Sequence, residues 1–524
     1  MNYDWLQYLP DEHRAKAAAD LRRHEEKVAN LERTVVILHE VVKLCRLERF
    51  GRRSEKVSEN QLMLLGFETS VSSAEMVQEA SLPANQKKNL EPGEPKRKNK
   101  KNANHPGRTA LSAHLLRVES IVVAANTTCA LCQAPTEVIG YEVSEELCVK
   151  PVEYFVKVTK REKRACRTHP EGGVTTAAIP SKILAKSKLS DDVIIDTVVR
   201  KYQYHQPLYR QAKMIWEDAQ VIVDRHTLDD GVMWVGELLT SLKAPMQKEI
   251  FAGKYIQADE TPVGVKSSRV KGRSVRAYIF EYSVPESTVV YDFRMGRGGG
   301  GPTEFLKDYK GVLQCDGYAG YNAAQLNSQI DRAGCMAHVR RGFFKAHQIN
   351  TRETEALSVV HKINELYRIE KLAREAGMDA AARLALRQEK SVSLMAELKD
   401  KIQAIQPTAL PKSALGKACS YALEQWSRLE VFLQYGNVEI DNNWCENAIR
   451  PIVLGRKNWM LIGSENAGPK IAAIMSIIET CRRIQVNVRI YLKEILPQLA
   501  MFPQPDPSKL TPLAWKNSLS KPQT

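Results

Sequence analysis

Two apolar stretches that end in acids decide the fold of this chain: Tyr255-Ile-Gln-Ala-Asp259-Glu-Thr-Pro262 and Val312-Leu-Gln-Cys-Asp316-Gly-Tyr318. In each, strand-forming residues lead to an aspartate, and in the first a proline then predicts a turn. Acids at the ends of neighbouring strands point into one cleft, where each carboxylate needs a partner or a cation to tolerate the charge of the other. Magnesium prefers such hard oxygen ligands.

A third acid follows in Ile440-Asp-Asn-Asn-Trp-Cys-Glu446-Asn-Ala-Ile-Arg450. If this stretch is helical, Asn442, Glu446 and Arg450 share one face. Asp441 precedes two asparagines and has the pattern of a helix N-cap. Each acid taken singly is more often a surface or turn residue. Two strand acids with one helical acid predict instead a pair of Mg²⁺ ions, which about 3.5–4 Å apart activate an attacking oxygen and stabilise a leaving one on phosphorus.

The sequence around these acids predicts a sheet that is interrupted by helices. Alternating apolar residues predict strands at 254–259, 275–282, 288–293, 311–316 and 334–338, with a short helix near 303–306. We therefore expect an α/β catalytic core over 246–338, an all-helical insertion over 339–437, a core helix with the third acid over 438–465, and a C-terminal helical region with a tail over 466–524. Two helices are expected in that last region, at 470–484 and at 488–499.

The N-terminal half predicts an oligomerisation helix and a tether. Between residues 1 and 50, steps of three and four separate His24, Val28, Leu31, Val35, Leu38, Val42 and Cys45. That spacing predicts a coiled coil with a second copy, and the alternative is an amphipathic helix packed on its own core. Residues 51–108 are polar and rich in proline and lysine, which indicates a flexible basic linker.

Residues 109–245 predict two further modules. Cys129-Ala-Leu-Cys132 and Cys166-Arg-Thr-His169 offer four ligands for a tetrahedral structural Zn²⁺, and β-rich runs near them indicate a zinc-ribbon-like module over 109–180. Over 181–245, Ser190 and Asp224 suit helix caps and Pro207 suits a first helical turn. Three short helices resemble a helix-turn-helix DNA-binding bundle, although plain helical cores share the pattern.

Composition limits the compartment and the partners. The 76 Lys and Arg against 61 Asp and Glu give a charge of +15, which favours DNA as the partner, with an acidic membrane surface as the rival. Neither a signal sequence nor a stretch of ~20 apolar residues is found, so we expect a cytoplasmic, nucleoid-associated protein without membrane contact. Its 10 cysteines are then free thiols or metal ligands.

The order of the motifs resembles the transposases of the insertion-sequence sixty-six type, which belong to the DDE class. The matching motifs run along nearly the whole chain: Arg49-Phe-Gly-Arg-Arg-Ser-Glu-Lys56, His105-Pro-Gly-Arg108, the cysteine pairs, Lys201-Tyr202 with Pro207-Leu-Tyr-Arg210, Ala258-Asp-Glu-Thr-Pro262, Cys315-Asp-Gly-Tyr318, Cys335-Met-Ala-His-Val-Arg-Arg341, Asp441-Asn-Asn443 with Glu446 and Arg450-Pro451, Gly455-Arg-Lys-Asn-Trp459 and Ile478-Glu-Thr480. The family has cysteine where this chain has His169.

The resemblance implies a multidomain α+β protein with an RNase H-like catalytic core. It implies that Asp259, Asp316 and Glu446 are the catalytic triad, and that the enzyme cuts the ends of an insertion sequence and joins them to target DNA with Mg²⁺. Accessory proteins of the same element, and a homodimer or higher oligomer on DNA, are further implied partners.

Several basic and aromatic residues are candidates for DNA contacts near this triad. His338 is predicted to orient a metal-bound carboxylate or to grip phosphate, and its alternative is a satisfied core histidine. The predicted DNA-binding residues are Arg340, Arg341, Arg450, Arg456, Lys457 and Trp459. The arginines that follow His338 could equally form a solvated helix face, and the tryptophan could equally be core.

Two other protein classes fit part of the sequence. A non-catalytic DNA-binding regulator explains the zinc module, the helices and the charge, but gives no reason for three acids at these positions. A magnesium-dependent nuclease or resolvase-like enzyme uses the acids, but has less need of the long N-terminal half.

Overall fold

The computed structural model describes residues 10–50, 153–160, 162–165, 174–176, 182–185, 187–267, 273–322, 329–350, 354–501 and 505–519. Apart from 153–159 and 217–220, they belong to one compact unit. The predicted linker, the predicted zinc ligands Cys129, Cys132, Cys166 and His169, and the motifs between Gly51 and Arg108 lie outside the described residues.

The first helix, α1 (Asp11–Phe50), is 40 residues long. The apolar residues of its heptad positions face solvent, since Leu31 is 57% and Leu38 56% exposed. Near its C-terminal end, the Glu40 carboxylate accepts a hydrogen bond from Ala414 N at 3.0 Å. Among the described residues no core covers the apolar seam, and pairing with a second copy stays a prediction.

The described part of the predicted zinc module contains two short strands. These are β1 (Lys163–Ala165) and β2 (Val174–Thr176), which pair antiparallel. Residues 153–160 form no strand, although the run at 154–158 is β-rich in sequence. Phe155 in that run is 84% exposed, so no described residue packs on it in the way that would favour a strand.

Four helices precede the sheet: α2 (Asp191–Tyr202), α3 (Leu208–Ala219), α4 (Arg225–Thr240) and α5 (Lys243–Ala252). Both predicted caps are confirmed. The Ser190 hydroxyl accepts a hydrogen bond from Val193 N at 3.4 Å, and the Asp224 carboxylate accepts one from His226 N at 2.7 Å.

A five-stranded mixed sheet forms the centre of the molecule. Its strands are β3 (Tyr255–Lys266), β4 (Ser274–Ser283), β5 (Val289–Arg294), β6 (Gly311–Gln314) and β7 (Ile330–Ala333), in the order β5-β4-β3-β6-β7. The first three strands are antiparallel, and β6 and β7 run parallel to β3. A short helix, α6 (Gly300–Phe305), connects β5 to β6.

The predicted turn at Pro262 is wrong, because β3 continues through it to Lys266. β6 pairs only with residues 255–257 of β3, so the strand has an open edge from there on. The Pro262 carbonyl on this edge accepts a hydrogen bond from Arg456, and the Gly264 carbonyl accepts one from Ile462 N at 2.8 Å. Proline, which has no N–H to donate, is tolerated on such an edge.

The predicted fifth strand at 334–338 is also wrong. The strand ends at Ala333, and α7 (Met336–Ile349) begins three residues later. Gly334 and Cys335 turn the chain out of the sheet, and the Gly334 N–H donates to the Arg428 carbonyl at 2.8 Å. His338 therefore lies in the first turn of a helix.

The predicted helical insertion is helical. After α7 it contains α8 (Thr354–Glu375), α9 (Ala380–Leu386), α10 (Val392–Ile405), α11 (Ala414–Glu424) and α12 (Trp426–Leu429), and a π-helical turn at Arg387–Ser391 joins α9 to α10. Arg387 on this turn is fully buried and donates to Glu370 at 2.7 and 2.8 Å. A buried charge of this kind is tolerated because its partner lies within hydrogen-bond distance.

The chain returns to the sheet through α13 (Asn443–Trp459), α14 (Ala467–Arg483), α15 (Val488–Leu499) and α16 (Pro512–Leu519). Helix α14 covers the open edge of β5: Ser476 Oγ accepts a hydrogen bond from Tyr291 N at 2.8 Å, and Thr480 Oγ1 accepts one from Val289 N at 3.0 Å. Two hydroxyls one helical turn apart thus accept hydrogen bonds from the N–H groups of two strand residues that are two positions apart. These bonds protect the edge of β5 from pairing with another strand.

Helices α4 and α14 pack closely. A Cβ on Gly236 of α4 would lie 2.7 Å from the Cβ of Lys470 in α14, so glycine is needed at this crossing. The predicted DNA-binding bundle is thus packed against the C-terminal helices, and its boundary at residue 245 stays a prediction.

Candidate active site

The register of the sheet places Asp259 and Asp316 at matching positions. Gln257 of β3 pairs with Gln314 of β6 in parallel, and each aspartate lies two residues beyond its glutamine. Side chains two apart along a strand point to the same face. Asp259 lies inside β3 rather than at its end, whereas Asp316 follows the end of β6 by two residues.

A buried polar network attaches the start of α13 to this face of the sheet. Gln257 Nε2 donates to the Asp441 carbonyl at 2.8 Å, and its Oε1 accepts from Cys445 N at 3.1 Å. Gln314 Nε2 donates to the Glu439 carbonyl at 2.8 Å. Both glutamines are fully buried. Because their amides bond backbone groups before and within α13, the helix is held in fixed register against β3 and β6.

Glu446 projects from the first turn of α13 toward α7. Arg341 Nη2 lies 3.1 Å and His338 Nε2 3.7 Å from the Glu446 carboxylate. Two further bonds position the helix, since Tyr291 Oη donates to the Ala448 carbonyl and Arg483 Nη2 donates to the Trp444 carbonyl. Glu446 is thus held between α13 and α7, and its role as the third acid stays a prediction.

The three acids repel one another. The pKa of Asp259 is raised to about 8, mainly by burial and in addition by the charges of Glu260, Asp316 and Glu446, while the hydrogen bond from Glu260 N opposes the shift. The pKa of His338 is lowered by burial, and the neighbouring charges of Glu446 and Asp316 oppose that shift. The aspartates and His338 therefore share one electrostatic environment with Glu446.

The sheet acids keep oxygen atoms available. Asp259 Oδ1 accepts a hydrogen bond from Glu260 N at 2.8 Å, and Asp316 Oδ1 accepts one from Tyr318 N at 2.9 Å. The Oδ2 atom of each makes no hydrogen bond to any residue that the structure describes. Anionic oxygens that repel one another and lack donors are the donor set that a hard divalent cation takes, so these residues fit Mg²⁺.

Asp441 is engaged elsewhere. Its carboxylate accepts hydrogen bonds from Asn443 N at 3.0 Å, from Asn443 Nδ2 at 2.9 Å and from Tyr367 Oη at 2.8 Å. Burial raises the pKa of Asp441 to about 6. Asn442 is the residue at the helix cap, one position later than expected, but the bond from Asn443 N gives Asp441 the capping role. Both of its oxygens are occupied.

Cys335, His338 and Glu446 form a second arrangement in this region. Their potential ligand atoms lie within 4.8 Å of one another, while the three acids form no cluster of that closeness within the described chain. His338 Nδ1 is buried without a hydrogen-bond partner among the described residues. Sequence reasoning singled out His338 but treated Cys335 as a buried apolar residue.

The predicted DNA-binding residues divide into two groups. Arg340 Nε donates to Asn364 Oδ1 at 2.8 Å, so this arginine points into the helical insertion, whereas Arg341 is half-exposed beside Glu446. The remaining ones lie along α13. Arg450 and Lys457 are exposed, and Trp459 packs on Gly455, where an added Cβ would lie 2.6 Å from its Nε1. Arg456 bonds the edge of β3, as described above.

Sequence reasoning missed the residues that hold the site together. Gln257, Gln314 and Tyr255 are buried polar residues in strands, and Glu260 and Arg297 form an ion pair at 2.6 Å beside Asp259. Glutamine within an otherwise apolar strand is a signal that could have been read, because a buried amide needs partners. Nothing local in the sequence indicates that Arg297 reaches Glu260.

Comparison with known proteins gives the family. Residues 186–470 match the Transposase IS66 family, which covers more than half of the chain and includes all three acids. The chain belongs to the IS66 transposase family. Residues 37–119 match the Transposase C of IS166 homeodomain, and residues 126–168 match the zinc-finger binding domain of transposase IS66. The order of these domains fits the family, and structural zinc is supported by the last match.

Relatives match the chain over most of its length. The chain is 30% identical to the uncharacterized protein y4qI of Sinorhizobium fredii over 96% of this chain and 93% of the relative. It is 30% identical to the uncharacterized protein y4jD of the same organism, over 74% of this chain and 78% of the relative. Family membership makes this chain a DNA-binding transposase of an insertion sequence. No helix among the described residues is long and apolar enough to span a bilayer.

Proposed function

We propose that this IS66-family transposase cuts the ends of its element and joins them to target DNA, with Mg²⁺ held by Asp259, Asp316 and Glu446. The observation that carries the proposal is the convergence of two sheet carboxylates and one helical carboxylate whose charges repel one another. Holding these carboxylates together costs free energy when no cation is bound, and two bound cations would offset that cost.

The strand order supports an RNase H-like core. Three antiparallel strands followed by two parallel ones, in the order β5-β4-β3-β6-β7, place the first acid on the central strand and the second just after its parallel neighbour. The helical insertion comes before the helix with the third acid. We propose this fold for 246–338 together with 438–465.

In the mechanism, the protein mainly positions groups. When bound, Mg²⁺ would supply positive charge that activates the attacking oxygen and stabilises the leaving oxygen of a phosphodiester. The buried Gln257 and Gln314 amides fix α13 against the sheet, which sets the position of Glu446 relative to the aspartates. His338 and Arg341 hold the Glu446 carboxylate from the side of α7. Water attacks the phosphodiester at the element end and breaks its P–O3′ bond, which frees a 3′-hydroxyl. That hydroxyl then attacks a target phosphodiester and displaces the 3′-oxygen of the target strand.

Other parts of the chain are proposed to supply DNA binding and assembly. We propose one Zn²⁺ held by Cys129, Cys132, Cys166 and His169, although the family match ends at residue 168. Arg341, Arg450, Arg456, Lys457 and Trp459 are proposed DNA contacts, with Arg340 supporting them from the insertion. A homodimer or higher oligomer on DNA and accessory proteins of the same element complete the proposal, which places the protein on the nucleoid in the cytoplasm.

Strand transfer in vitro tests the proposal. Purified full-length protein is incubated with Mg²⁺ and the DNA that flanks its own gene, and joined products are measured. Glu446→Gln keeps size and hydrogen bonding but removes the charge, so DNA binding should survive while cleavage and joining fall at least about 100-fold. Asp441→Asn is the matched control, because that carboxylate is already bonded to Tyr367 and Asn443 and should leave substantial activity.

Two outcomes would contradict it. An active Glu446→Gln protein beside an inactive Asp441→Asn protein would show that Asp441 is the third ligand. Nicked DNA without joined products from the wild-type protein would indicate a nuclease instead. A DNA-binding regulator would be indifferent to both substitutions.

A further inference from the structure

A glycine-rich segment, Met295-Gly-Arg297-Gly-Gly-Gly-Gly301, follows β5 and runs into the start of α6 beside the acids. The fold does not require glycine at three of its positions. A Cβ built on Gly296, Gly298 or Gly300 meets nothing within 4 Å, and none of these residues has positive φ. Without side chains at these positions, the backbone is open to the close approach of another molecule.

Arg297, in the middle of this segment, is fixed on one side. Its Nε and Nη2 donate to Glu260 Oε1 at 3.1 and 2.6 Å, and its guanidinium lies 4.0 Å from the centre of the Tyr318 ring. The Tyr318 hydroxyl donates to the Arg297 carbonyl. Glu260 follows Asp259, and Tyr318 N bonds Asp316. Arg297 is therefore held at the rim of the cleft, next to both sheet acids.

The other side of the guanidinium faces solvent. The Arg297 side chain is 47% exposed, and its Nη1 makes no hydrogen bond to any residue that the structure describes. Its surroundings are acidic, with Asp259, Glu260 and Asp316 nearby. A DNA strand that enters this cleft meets repulsion from the carboxylates, and a cation at the rim offsets it. A planar guanidinium stacked on an aromatic ring suits a phosphate.

We propose that Arg297 binds a backbone phosphate of the DNA strand beside the phosphodiester that reacts, and that the flanking glycines let the strand approach. This inference rests on the proposed function, because it takes the acids as the centre of the reaction. It adds a DNA-positioning site beside the sheet acids to the proposed contacts of the basic residues of α7 and α13.

The test is a phosphate-by-phosphate binding measurement with the full-length protein. Duplexes of the element end carry one neutral methylphosphonate each, at successive positions around the cut, and affinity is measured without Mg²⁺ so that no cleavage occurs. At one position the methylphosphonate should lower the affinity of the wild-type protein about tenfold. The same methylphosphonate should not lower the affinity of Arg297→Ala, which would show that Arg297 and this phosphate interact. The slope of log affinity against log salt concentration should also be shallower by about one unit for Arg297→Ala than for the wild type.

Arg294→Ala is the control variant, and Gly298→Val is a second test of the inference. Arg294→Ala removes a neighbouring arginine that pairs with Asp292 and Glu304, away from the acids, and should keep the wild-type pattern. Gly298→Val leaves the Arg297–Glu260 pair intact and fills open space, so it should bind DNA more weakly with an unchanged melting temperature.

The inference would be overturned if Arg297→Ala kept the methylphosphonate pattern and the salt slope of the wild type, because Arg297 would then only neutralise Glu260. Unchanged DNA affinity of Gly298→Val would overturn it as well. Failure of the proposed function looks different: the wild-type protein would bind the element end through this phosphate but form no joined products.

Discussion

At the scale of single residues, the carboxylates of the candidate site are buried close enough to repel one another. Asp259 is buried among three other carboxylates, and its pKa is raised to about 8 from an ordinary value of 3.8. An acid whose pKa is higher in the folded state favours folding only while it is protonated. As the pH rises from about 4 to about 8, the metal-free protein should therefore lose stability through this group.

Asp259→Asn should consequently stabilise the metal-free protein. At pH 7 in EDTA we expect the variant to be more stable than the wild type by at least about 1 kcal/mol, which corresponds to one pKa unit, and the gap should close toward pH 4. Added Mg²⁺ should stabilise the wild type and leave the variant unchanged, because only ligands of the native state raise its stability. Thermal unfolding followed by circular dichroism measures both effects. A wild-type protein whose melting temperature does not rise on addition of Mg²⁺ would count against the metal site.

The acids could be proposed from the sequence, but the residues that hold them could not. Asp259, Asp316 and Glu446 follow recognisable strand and helix patterns, so they could be named in advance. The bonds from Gln257 and Gln314 to residues 439–445 join positions more than 120 apart in the chain, and only the sheet register reveals them. Long-range contacts of this kind leave no periodic signal in one sequence.

At the scale of elements, the strands and helices were largely predictable and their ends were not. The Ser190 and Asp224 caps were correct because side-chain chemistry sets them locally. Two strand predictions failed for tertiary reasons. The open edge of β3 accommodates Pro262, and residues 330–333 pair with β6 although their sequence, Ile-Asp-Arg-Ala, lacks an apolar run.

Gly311 should be essential for the strand that leads to Asp316. Its φ is +137°, and a Cβ there would lie 2.2 Å from the Lys254 carbonyl oxygen, which the neighbouring strand fixes. Gly311→Ala should therefore cost at least about 3 kcal/mol, through both backbone strain and the clash. Gly298→Ala is the matched control and should change stability by no more than about 0.5 kcal/mol. Urea denaturation compares the two, and equal stabilities would refute the close approach of β6 to Lys254.

At the scale of the whole molecule, the exposed seam of α1 predicts self-association. Leu31 and Leu38 are both more than half exposed in a single chain, an arrangement that a second helix would bury. Leu31→Glu with Leu38→Glu should convert an oligomer to a monomer in light scattering, while the exposed Arg33→Gln on the opposite face should not. A wild type that is monomeric at micromolar concentration would remove the basis for a coiled coil.

The order of modules was also readable from the sequence, because composition changes sharply along the chain. Their packing was not. Helices α2 and α4 contact the C-terminal helices α14 and α15, and Asp196 pairs with Arg489 at 2.6 Å across nearly 300 residues. A fragment that ends before the sheet would lose these contacts, so DNA binding is best measured on the full chain.

The proposal that Asp259, Asp316 and Glu446 bind the metal also predicts that exchanging one ligand changes the metal preference. Asp259→Cys replaces a hard oxygen ligand by sulfur, which Mg²⁺ binds poorly and Mn²⁺ tolerates better. If Asp259 binds the metal, the variant should cut and join DNA in Mn²⁺ but not in Mg²⁺, whereas the wild-type protein should cut and join DNA in both. Wild-type activity of Asp259→Cys in Mg²⁺ would contradict it, because Asp259 could not then be a metal ligand.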